Sequence, residues 1–281
     1  MTGPRFLTEP EPERDVPLAV APGVWRMVAG NSGPMTYHGT NTYLIEDPDG
    51  DAVTILDPGP DDPLHVEAVI AAAHGQIRGR IRRILLSHGH RDHSGALARL
   101  RAAIEVPVFG WSPSINPDVV IDHALADGDR VGGLTALYTP GHAADHLCYA
   151  RADGLLFTGD HVMSWSTSVV SPPHGDMAAY FTSLDRLVAR ADRCYLPGHG
   201  PPLAQTAGFA HALLEHRKAR ENSVMAALEK RPTALADITA RAYAGLDPRL
   251  LGAAERSVLA HLLKLAAEGR ARKAENGWQI L

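Results

Sequence analysis

Cysteine is scarce in this chain, which has only Cys148 and Cys194 among its 281 residues. Two cysteines are too few for a disulfide framework, so we expect both to be reduced and buried in a cytoplasmic protein. No run of 18 or more apolar residues occurs, so the sequence predicts no membrane span. Residues 1–22 hold charges and prolines without an apolar h-region. We therefore expect no secretory signal and interpret residues 1–20 as a flexible N-terminal arm.

Aromatic residues and net charge are also low. Aromatic side chains make up 6% of the sequence, which offers few platforms on which single-stranded nucleic acid could stack. The formal net charge is −5, but residues 205–281 hold 12 Lys/Arg and 8 Asp/Glu, so the acidic excess lies in the preceding residues. This uneven charge indicates two units. It is not the strongly basic balance that is typical of a dedicated nucleic-acid-binding protein.

Residues 21–204 show two clusters of strand patterns, each with its own helices. In the first cluster a turn signal at 47–51 (DPDGD) separates two predicted strands, a helix is predicted over 63–74, and another begins with Ser94 as its N-cap. In the second cluster two strands around a turn at 152–154 precede a helix over 178–190. This arrangement favours a helix-covered β-sandwich over a Rossmann sheet.

Residues 205–281 change character and are predicted to form a second, mainly helical domain. Helices are predicted over 207–230, 233–243 and 248–269, and the last one carries an apolar stripe at helical spacing. The dipeptide Asn276-Gly277 then predicts a tight hairpin between two short strands. Three helices followed by a β-hairpin is the order of elements in a winged-helix module.

Histidine, in contrast, is abundant, with fifteen residues. Four potential metal ligands fall within six residues directly after a predicted buried strand: His88, His90, Asp92 and His93. Three more follow at later strand ends, each beside a glycine that permits a tight, exposed turn: His142, Asp160 and His199. Imidazole and carboxylate ligands suit zinc, with iron and manganese as alternatives.

The order of these motifs resembles that of the metallo-β-lactamase superfamily: HxHxDH, then a GH histidine, a GD aspartate and a GHG histidine. The resemblance covers residues 20–204 and implies an α+β fold, a four-layer αβ/βα sandwich with the active site at one edge of its two sheets. It also implies a hydrolase with two Zn²⁺ ions and a metal-bridging hydroxide. The implied ligands are His88, His90 and His142 for one ion and Asp92, His93 and His199 for the other, with Asp160 bridging both.

Longer segments are similar to one branch of that superfamily, the lactamase-β-like endoribonucleases and their bacterial relatives. These segments are GTNTYLI (39–45), SHGHRDHSG (87–95), TPGHAADHL (139–147) and HRKARE (216–221), and the C-terminal winged-helix-like domain is also typical of the group. The resemblance implies that the protein cuts single-stranded RNA. Arg217, Lys218 and Arg220 on the linking helix are then candidate contacts to phosphates.

Two alternative functions remain open at this stage. In the first, the substrate is a small ester, thioester or lactone, and the C-terminal domain forms a pocket wall or a homodimer contact. In the second, the winged helix binds DNA and the chain is a metal-sensing regulator. The complete ligand set favours an enzyme over a regulator.

Several residues near the ligand motifs are candidates for further roles. Asp92 and His161 are the candidate catalytic residues, and Asp92 is expected to accept a proton from the attacking water. The candidates for supporting the ligands or contacting the substrate are Asp57, His146, Asn41 and Trp165.

Overall fold

The computed structural model describes residues 3–48, 50, 52–204, 206 and 208–281. Two predictions therefore fall partly outside the described residues: the turn around Asp49 and Asp51, and the start of the C-terminal domain at residues 205 and 207. The first two residues of the predicted N-terminal arm also lie outside them. Among the described residues, no helix is both long and apolar enough to cross a bilayer.

Seven strands form the first sheet, and they lie side by side in chain order. Strands β1 to β4 pair antiparallel, and β4 to β7 pair in parallel. The strands are Leu18–Ala21 (β1), Val24–Val28 (β2), Asn41–Glu46 (β3), Ala52–Leu56 (β4), Arg80–Leu85 (β5), Val108–Gly110 (β6) and His123–Ala124 (β7).

Five strands form the second sheet, in the spatial order β12-β11-β10-β9-β8. Its pairs are antiparallel except for β11 and β12, which run in parallel. The strands are Arg130–Val131 (β8), Leu134–Tyr138 (β9), Leu147–Arg151 (β10), Leu155–Gly159 (β11) and Cys194–Pro197 (β12). The predicted turn at 152–154 joins β10 and β11.

The two sheets pack face to face because their strands are apolar on both sides. In β3, Tyr43 and Ile45 join the cluster between the sheets, whereas Leu44 joins the cluster beneath the helices of the first sheet. In β11, Phe157 faces the first sheet and Leu156 faces the helices of the second. This alternation follows from the two-residue period of a strand and produces the four layers.

Four helices belong to this sandwich: Pro63–Gly75 (α1), Arg91–Ser94 (α2), Leu97–Ala103 (α3) and Met177–Val188 (α4). The Asp62 carboxylate accepts a hydrogen bond from the Leu64 amide at the start of α1, and Asp176 accepts one from Ala179 at the start of α4. The prediction of Ser94 as an N-cap is wrong. Ser94 ends α2, and its hydroxyl donates to the carbonyl oxygens of Gly89 and His90.

The C-terminal domain contains helices Phe209–Ala227 (α5), Leu235–Ala242 (α6) and Leu251–Ala267 (α7), with a short 3₁₀ turn at Pro248–Leu250 before α7. A hairpin of Ala271–Ala274 (β13) and Gly277–Ile280 (β14) follows. Its two-residue turn is Glu275-Asn276, one residue earlier than predicted. Gly277 instead opens β14, at a point where a Cβ atom would lie 2.3 Å from the Thr233 carbonyl oxygen.

The predicted flexible arm is packed against the sandwich. Its Glu9 carboxylate accepts hydrogen bonds of 2.9 and 3.0 Å from the guanidinium of the buried Arg26. The Leu7 amide donates to the Ser164 carbonyl, and strand β1 begins at Leu18, inside the predicted arm. The arm differs from the prediction because the buried charge on Arg26 needs a carboxylate partner, which only the arm supplies among the described residues.

Candidate active site

Seven predicted ligand residues converge at one edge of the two sheets. They follow the ends of β5, β11 and β12 or lie in the connection between β9 and β10. Three groups of their ligand atoms lie within 4.8 Å of one another: His88 with His90 and His142, His88 with His93 and Asp160, and Asp92 with His93 and His199. Tertiary structure thus brings together side chains that are up to 111 positions apart in the sequence.

The first histidine group forms a compact tripod. His90 Nδ1 lies 2.8 Å from His88 Nε2 and 3.0 Å from His142 Nε2. Burial and the neighbouring imidazoles lower the pKa of His88 well below 6.5 and that of His90 to about 4, so both rings are neutral at pH 7. Three nitrogens bound to one zinc ion in a tetrahedron lie roughly 3.3 Å apart, close to this spacing.

Outer hydrogen bonds fix which nitrogen faces the site. His142 Nδ1 donates to the Val169 carbonyl at 2.6 Å, and His199 Nδ1 donates to the Gly39 carbonyl at 3.2 Å. His88 Nδ1 donates to Ser87 Oγ at 3.0 Å, because the Ser87 hydroxyl already donates its own proton to the Asp57 carboxylate. Each of these rings therefore turns Nε2 inward as a lone pair when neutral.

The second group combines a carboxylate with two imidazoles. Asp92 Oδ2 lies 3.2 Å from His199 Nε2 and 3.5 Å from His93 Nε2. Burial alone would lower the pKa of His93, but the carboxylates of Asp92, Asp160 and Asp57 raise it well above 6.5. The Asp160 and Asp92 carboxylates outweigh burial in the same way and raise the pKa of His199 to about 9. This side of the site thus favours positive charge.

Asp160 lies between the two groups. Its Oδ1 is 3.5 Å from both His93 Nε2 and His199 Nε2, and its Oδ2 is 3.6 Å from His142 Nε2. Although burial raises the pKa of Asp160, the His199 and His93 imidazoles lower it well below 3.8, so it is a carboxylate. One oxygen therefore faces each group.

The donor set fits a pair of divalent cations. His93 Nε2 and Asp160 Oδ1 are fully buried without a hydrogen-bond partner, which is costly unless a further group binds them. Both atoms point at the centre of the cluster, and the ligand types suit zinc or a similar ion. The residues present could therefore hold two ions, as the sequence predicts.

Asp57, a candidate for supporting the ligands, follows directly after β4 and contacts two of the ligand-bearing residues or their neighbours. Its Oδ1 accepts from the Ser87 amide at 2.7 Å, and its Oδ2 accepts from Ser87 Oγ at 2.6 Å and from His93 Nδ1 at 3.0 Å. Its backbone is left-handed, with φ of 52°, an uncommon conformation that a supporting structure must impose.

His146 and Asn41 do not line the cavity above the ligands. His146 Nε2 accepts from the Asp160 amide at 3.2 Å, while its Nδ1 donates to Thr139 Oγ1 at 2.9 Å. The Asn41 amide donates to the carbonyls of Pro197 and Gly200 at 2.8 Å each and so ties down the loop that presents His199. Both residues are buried and position ligands.

His161 and Trp165 lie further from the ligands. His161 is completely buried, neither ring nitrogen has a hydrogen-bond partner, and burial lowers its pKa to about 3. It does not line the cavity above the ligands. Trp165 stacks on Tyr37 with ring centroids 5.0 Å apart and lines a second cavity beside the site.

Sequence reasoning missed Asp145 and the Val169 carbonyl. Asp145 Oδ2 accepts from the Gly89 amide and the Ile115 amide at 3.0 Å each, and so holds the turn between His88 and His90. Asp145 lies in the quoted segment TPGHAADHL, so its proximity to a ligand motif was the available signal. The role of Val169 had no signal in the sequence, because it acts through its backbone.

The ligands open into a cavity of about 420 Å³. His90, Asp92, His142 and Asp160 form its floor, and Met35, Met163 and Val169 form part of its wall. Arg256 of helix α7 also lines it, so the C-terminal domain borders the site. A substrate that reaches the ligands therefore has Arg256 of the C-terminal domain within the same cavity.

Comparison with known families follows this division of the chain. The profile described as Metallo-beta-lactamase superfamily matches residues 35–110 and 109–199, which is more than half of the chain. The chain belongs to the metallo-beta-lactamase superfamily. The profile described as Beta-lactamase associated winged helix domain matches residues 234–278, so the predicted winged-helix order is confirmed for this superfamily member.

Individual relatives are consistent with this family, and a solved structure shows the same fold. The superfamily member is 28% identical to a Beta-lactamase-like protein 2 homolog from Drosophila melanogaster, over 92% of this chain and 95% of the relative. It is 30% identical to an Atrochrysone carboxyl ACP thioesterase from Aspergillus fumigatus, over 78% of this chain and 68% of the relative. A beta-lactamase domain protein from Burkholderia ambifaria shares its fold, with a TM-score of 0.79 at 22% identity, over 96% of this chain and 95% of that one.

Proposed function

We propose that this metallo-beta-lactamase superfamily hydrolase binds two zinc ions and hydrolyses a small ester or thioester. The observation that carries the proposal is the seven-donor centre at the floor of a cavity walled by methionine, valine and proline side chains and closed on one side by the C-terminal domain. Such a space suits a small organic substrate. Two free cysteines support the expectation of a reducing cytoplasmic compartment.

Each ligand residue has a proposed place in this chemistry. His88, His90 and His142 would hold one ion, Asp92, His93 and His199 the other, and Asp160 would bridge them. When bound, two such ions supply Lewis-acid activation of water and of the substrate's carbonyl oxygen.

Proton transfer falls to Asp92 in this proposal. Its side chain is 30% exposed and lines the cavity, so it can reach an attacking water. The neighbouring imidazoles, against the effect of burial, hold its pKa below 3.8, so it is ionised at neutral pH. It is thus in the protonation state that a proton acceptor needs, and its position beside the attacking water carries the assignment, since the low pKa makes it a weak base. His161 does not line the cavity, so we assign it a positioning role through its carbonyl, which accepts hydrogen bonds from Tyr180 and Ser168.

The relative named as an acyl carrier protein thioesterase supports the thioester as the substrate bond. Thioesters combine an apolar acyl group with an electrophilic carbonyl, and both parts match the cavity. The basic strip predicted on the linking helix gives RNA less support. Arg217 is buried, Lys218 pairs with Glu215 at 2.9 Å, and Arg220 donates to the Ala242 carbonyl.

Cleavage of single-stranded RNA is the second candidate function. Arg256 favours it, because this exposed guanidinium lines the cavity above the ligands, where it could pair with a phosphodiester. The C-terminal winged-helix domain also occurs widely in nucleic-acid-binding proteins.

A homodimer remains a prediction that light scattering can test.

One experiment separates the two candidates. Protein with measured metal content is incubated with a panel of acyl thioesters and, separately, with an unstructured fluorescent RNA, and Asp92→Ala is purified alongside. We expect thioester hydrolysis by the wild type that the variant lacks. Internal RNA cleavage by the wild type alone would favour the nuclease instead. Equal hydrolysis by the wild type and the variant would overturn the assignment of the site.

A further inference from the structure

A second cavity of about 160 Å³ lies between the sandwich and the C-terminal domain. The loop of residues 163–169 forms one wall, and helix α7 with the segment before it forms the other. We call this space the interdomain cavity. It shares Met35, Met163 and Val169 with the cavity above the metal ligands, so the two spaces adjoin. Its lining is mainly apolar and includes Trp165, Leu246, Leu250, Ala253 and Ala254.

One charged side chain lines this apolar space. Arg217 of helix α5 is only 4% exposed. Its Nη2 donates to the Ser168 carbonyl, its Nη1 lies 3.5 Å from Ser257 Oγ, and its Nε has no hydrogen-bond partner. The guanidinium carbon also lies 5.3 Å from the centre of the Tyr180 ring. Its five N–H groups are therefore not all satisfied by the protein, and the Nε–H group has no partner.

Arg217 also has no carboxylate within 4.0 Å among the residues that the structure describes, whereas the other buried arginine, Arg26, pairs with Glu9. A buried guanidinium without a counter-charge is costly, and such a group normally pairs with an anion. Its planar N–H groups match a carboxylate well. The unpaired charge in an apolar cavity beside the reaction site thus indicates an anionic group on the molecule that enters.

We propose that the interdomain cavity binds the acyl portion of the substrate and that Arg217 pairs with a carboxylate carried at the far end of that portion. The proposal rests on the proposed esterase or thioesterase function for the bond that breaks. It adds the substrate class, which is a carboxylated acyl ester or thioester. The apolar walls would take the methylene or ring carbons between the carboxylate and the reacting carbonyl.

The kinetic test uses a matched pair of N-acetylcysteamine thioesters, suberyl and octanoyl, which have equal chain length and differ in a terminal carboxylate. For metal-loaded wild type we expect kcat/KM for the suberyl compound to be about 10- to 100-fold higher, mainly through KM, as a charge-assisted pair predicts. Arg217→Met should abolish this preference, and Arg217→Lys should retain part of it. Wild type that hydrolyses both compounds equally well would overturn the proposal.

Controls separate binding from folding. Arg231→Met removes an exposed arginine that pairs with Glu229, and it should leave the preference unchanged. Because Arg217 holds the Ser168 carbonyl beside Val169, metal content is measured for each Arg217 variant. Ala253→Phe narrows the interdomain cavity without changing Arg217. It should lower kcat/KM for both eight-carbon thioesters relative to kcat/KM for an acetyl thioester. Undiminished octanoyl and suberyl hydrolysis by Ala253→Phe would contradict the assigned cavity.

Calorimetry with suberamic acid and octanamide tests the anion site without catalysis, because both have a neutral amide at the carbonyl end and only the first has a far-end carboxylate. We expect metal-loaded wild type to bind suberamic acid at least tenfold more tightly than octanamide, and Arg217→Met to bind both alike. If neither thioester is hydrolysed, the proposed function fails, but a preference for suberamic acid that requires Arg217 would still support the anion site. Equal binding of the two compounds by wild type would overturn the anion site.

Discussion

The Asp57 carboxylate lies 3.0 Å from His93 Nδ1 and holds this ring so that Nε2 faces the ligand cluster. The same carboxylate accepts two hydrogen bonds from Ser87, the residue that precedes His88. A single side chain after β4 therefore positions one ligand in each group of the centre. This link joins the two halves of the HGHRDH motif through a residue 31 positions before its first histidine.

Asp57→Asn should weaken metal binding. The amide would present a donor where the carboxylate accepts from Ser87 or His93, so at least one hydrogen bond is lost. Substitutions of such supporting residues reduce metal affinity by roughly 10- to 100-fold. Competition with a chelator measures the effect. Asp61→Asn is the control, because Asp61 is exposed and pairs with Arg99. Unchanged affinity in Asp57→Asn would show that the carboxylate does not act on the ligands.

Variants of the two ligand groups should each lose metal. His142→Ala removes a ligand from the first group and His199→Ala from the second, so elemental analysis should fall from about two ions per chain towards one. Activity should fall at least 100-fold. The helical signal in far-ultraviolet circular dichroism should persist, because the C-terminal helices do not depend on the metal ligands. His74→Ala, at an exposed position on α1, is the control. Two bound ions with full turnover in either ligand variant would refute the ligand assignment.

Gly141→Ala should disturb the loop that presents His142. Gly141 has φ of 139°, and an added Cβ would lie 2.3 Å from the Tyr180 Cα, so the backbone of helix α4 would have to move. We expect a loss of about 2–4 kcal/mol in the free energy of unfolding and reduced metal content. Gly128→Ala is a matched control, because Gly128 also has a positive φ but no atom near its added Cβ. Equal losses in the two variants would exclude the steric explanation.

Glu221 should make stability depend on pH. Its carboxylate accepts from His261 at 3.3 Å and Lys264 at 2.9 Å, and these contacts outweigh burial and lower the pKa of Glu221 below 4.5. A carboxylate whose pKa is lower in the folded state stabilises the protein at pH values above its pKa in the unfolded state. This stabilisation is lost as the pH falls through its pKa in the folded state. At pH 7 the free energy of unfolding of Glu221→Gln should therefore be about 1–3 kcal/mol lower than that of wild type. The variant should accordingly unfold at a lower temperature.

The measurement for Glu221 is thermal unfolding of both proteins from pH 7 to below 4. The difference between the melting temperatures should stay constant down to about pH 4.5 and then shrink. A difference that persists unchanged at the lowest pH would mean that the substitution acts through packing rather than charge.

Local patterns were sufficient to predict which histidine and aspartate side chains lie together, and to predict most elements. His88 to His93 follow a buried strand directly, and their spacing allows one turn to present all four. Helix α1 begins at Pro63 and ends at Gly75, as its start and stop residues predict. The hairpin turn and the Ser94 cap were misplaced because nearby backbone, at Thr233 and at Gly89 with His90, decided them.

The sequence by itself determined the candidate donor side chains, their order along the chain and the alternation of apolar residues that builds two sheets. Only the tertiary structure decided what surrounds those donors. Asp57, Val169 and Gly39 orient imidazoles from positions 27 to 160 residues away, and such partners are set by how the sheets and loops pack. Packing also decided that Arg26 has a carboxylate beside it and Arg217 has none among the described residues. Pairing depends on distance in space, and a chain pattern records only distance along the chain.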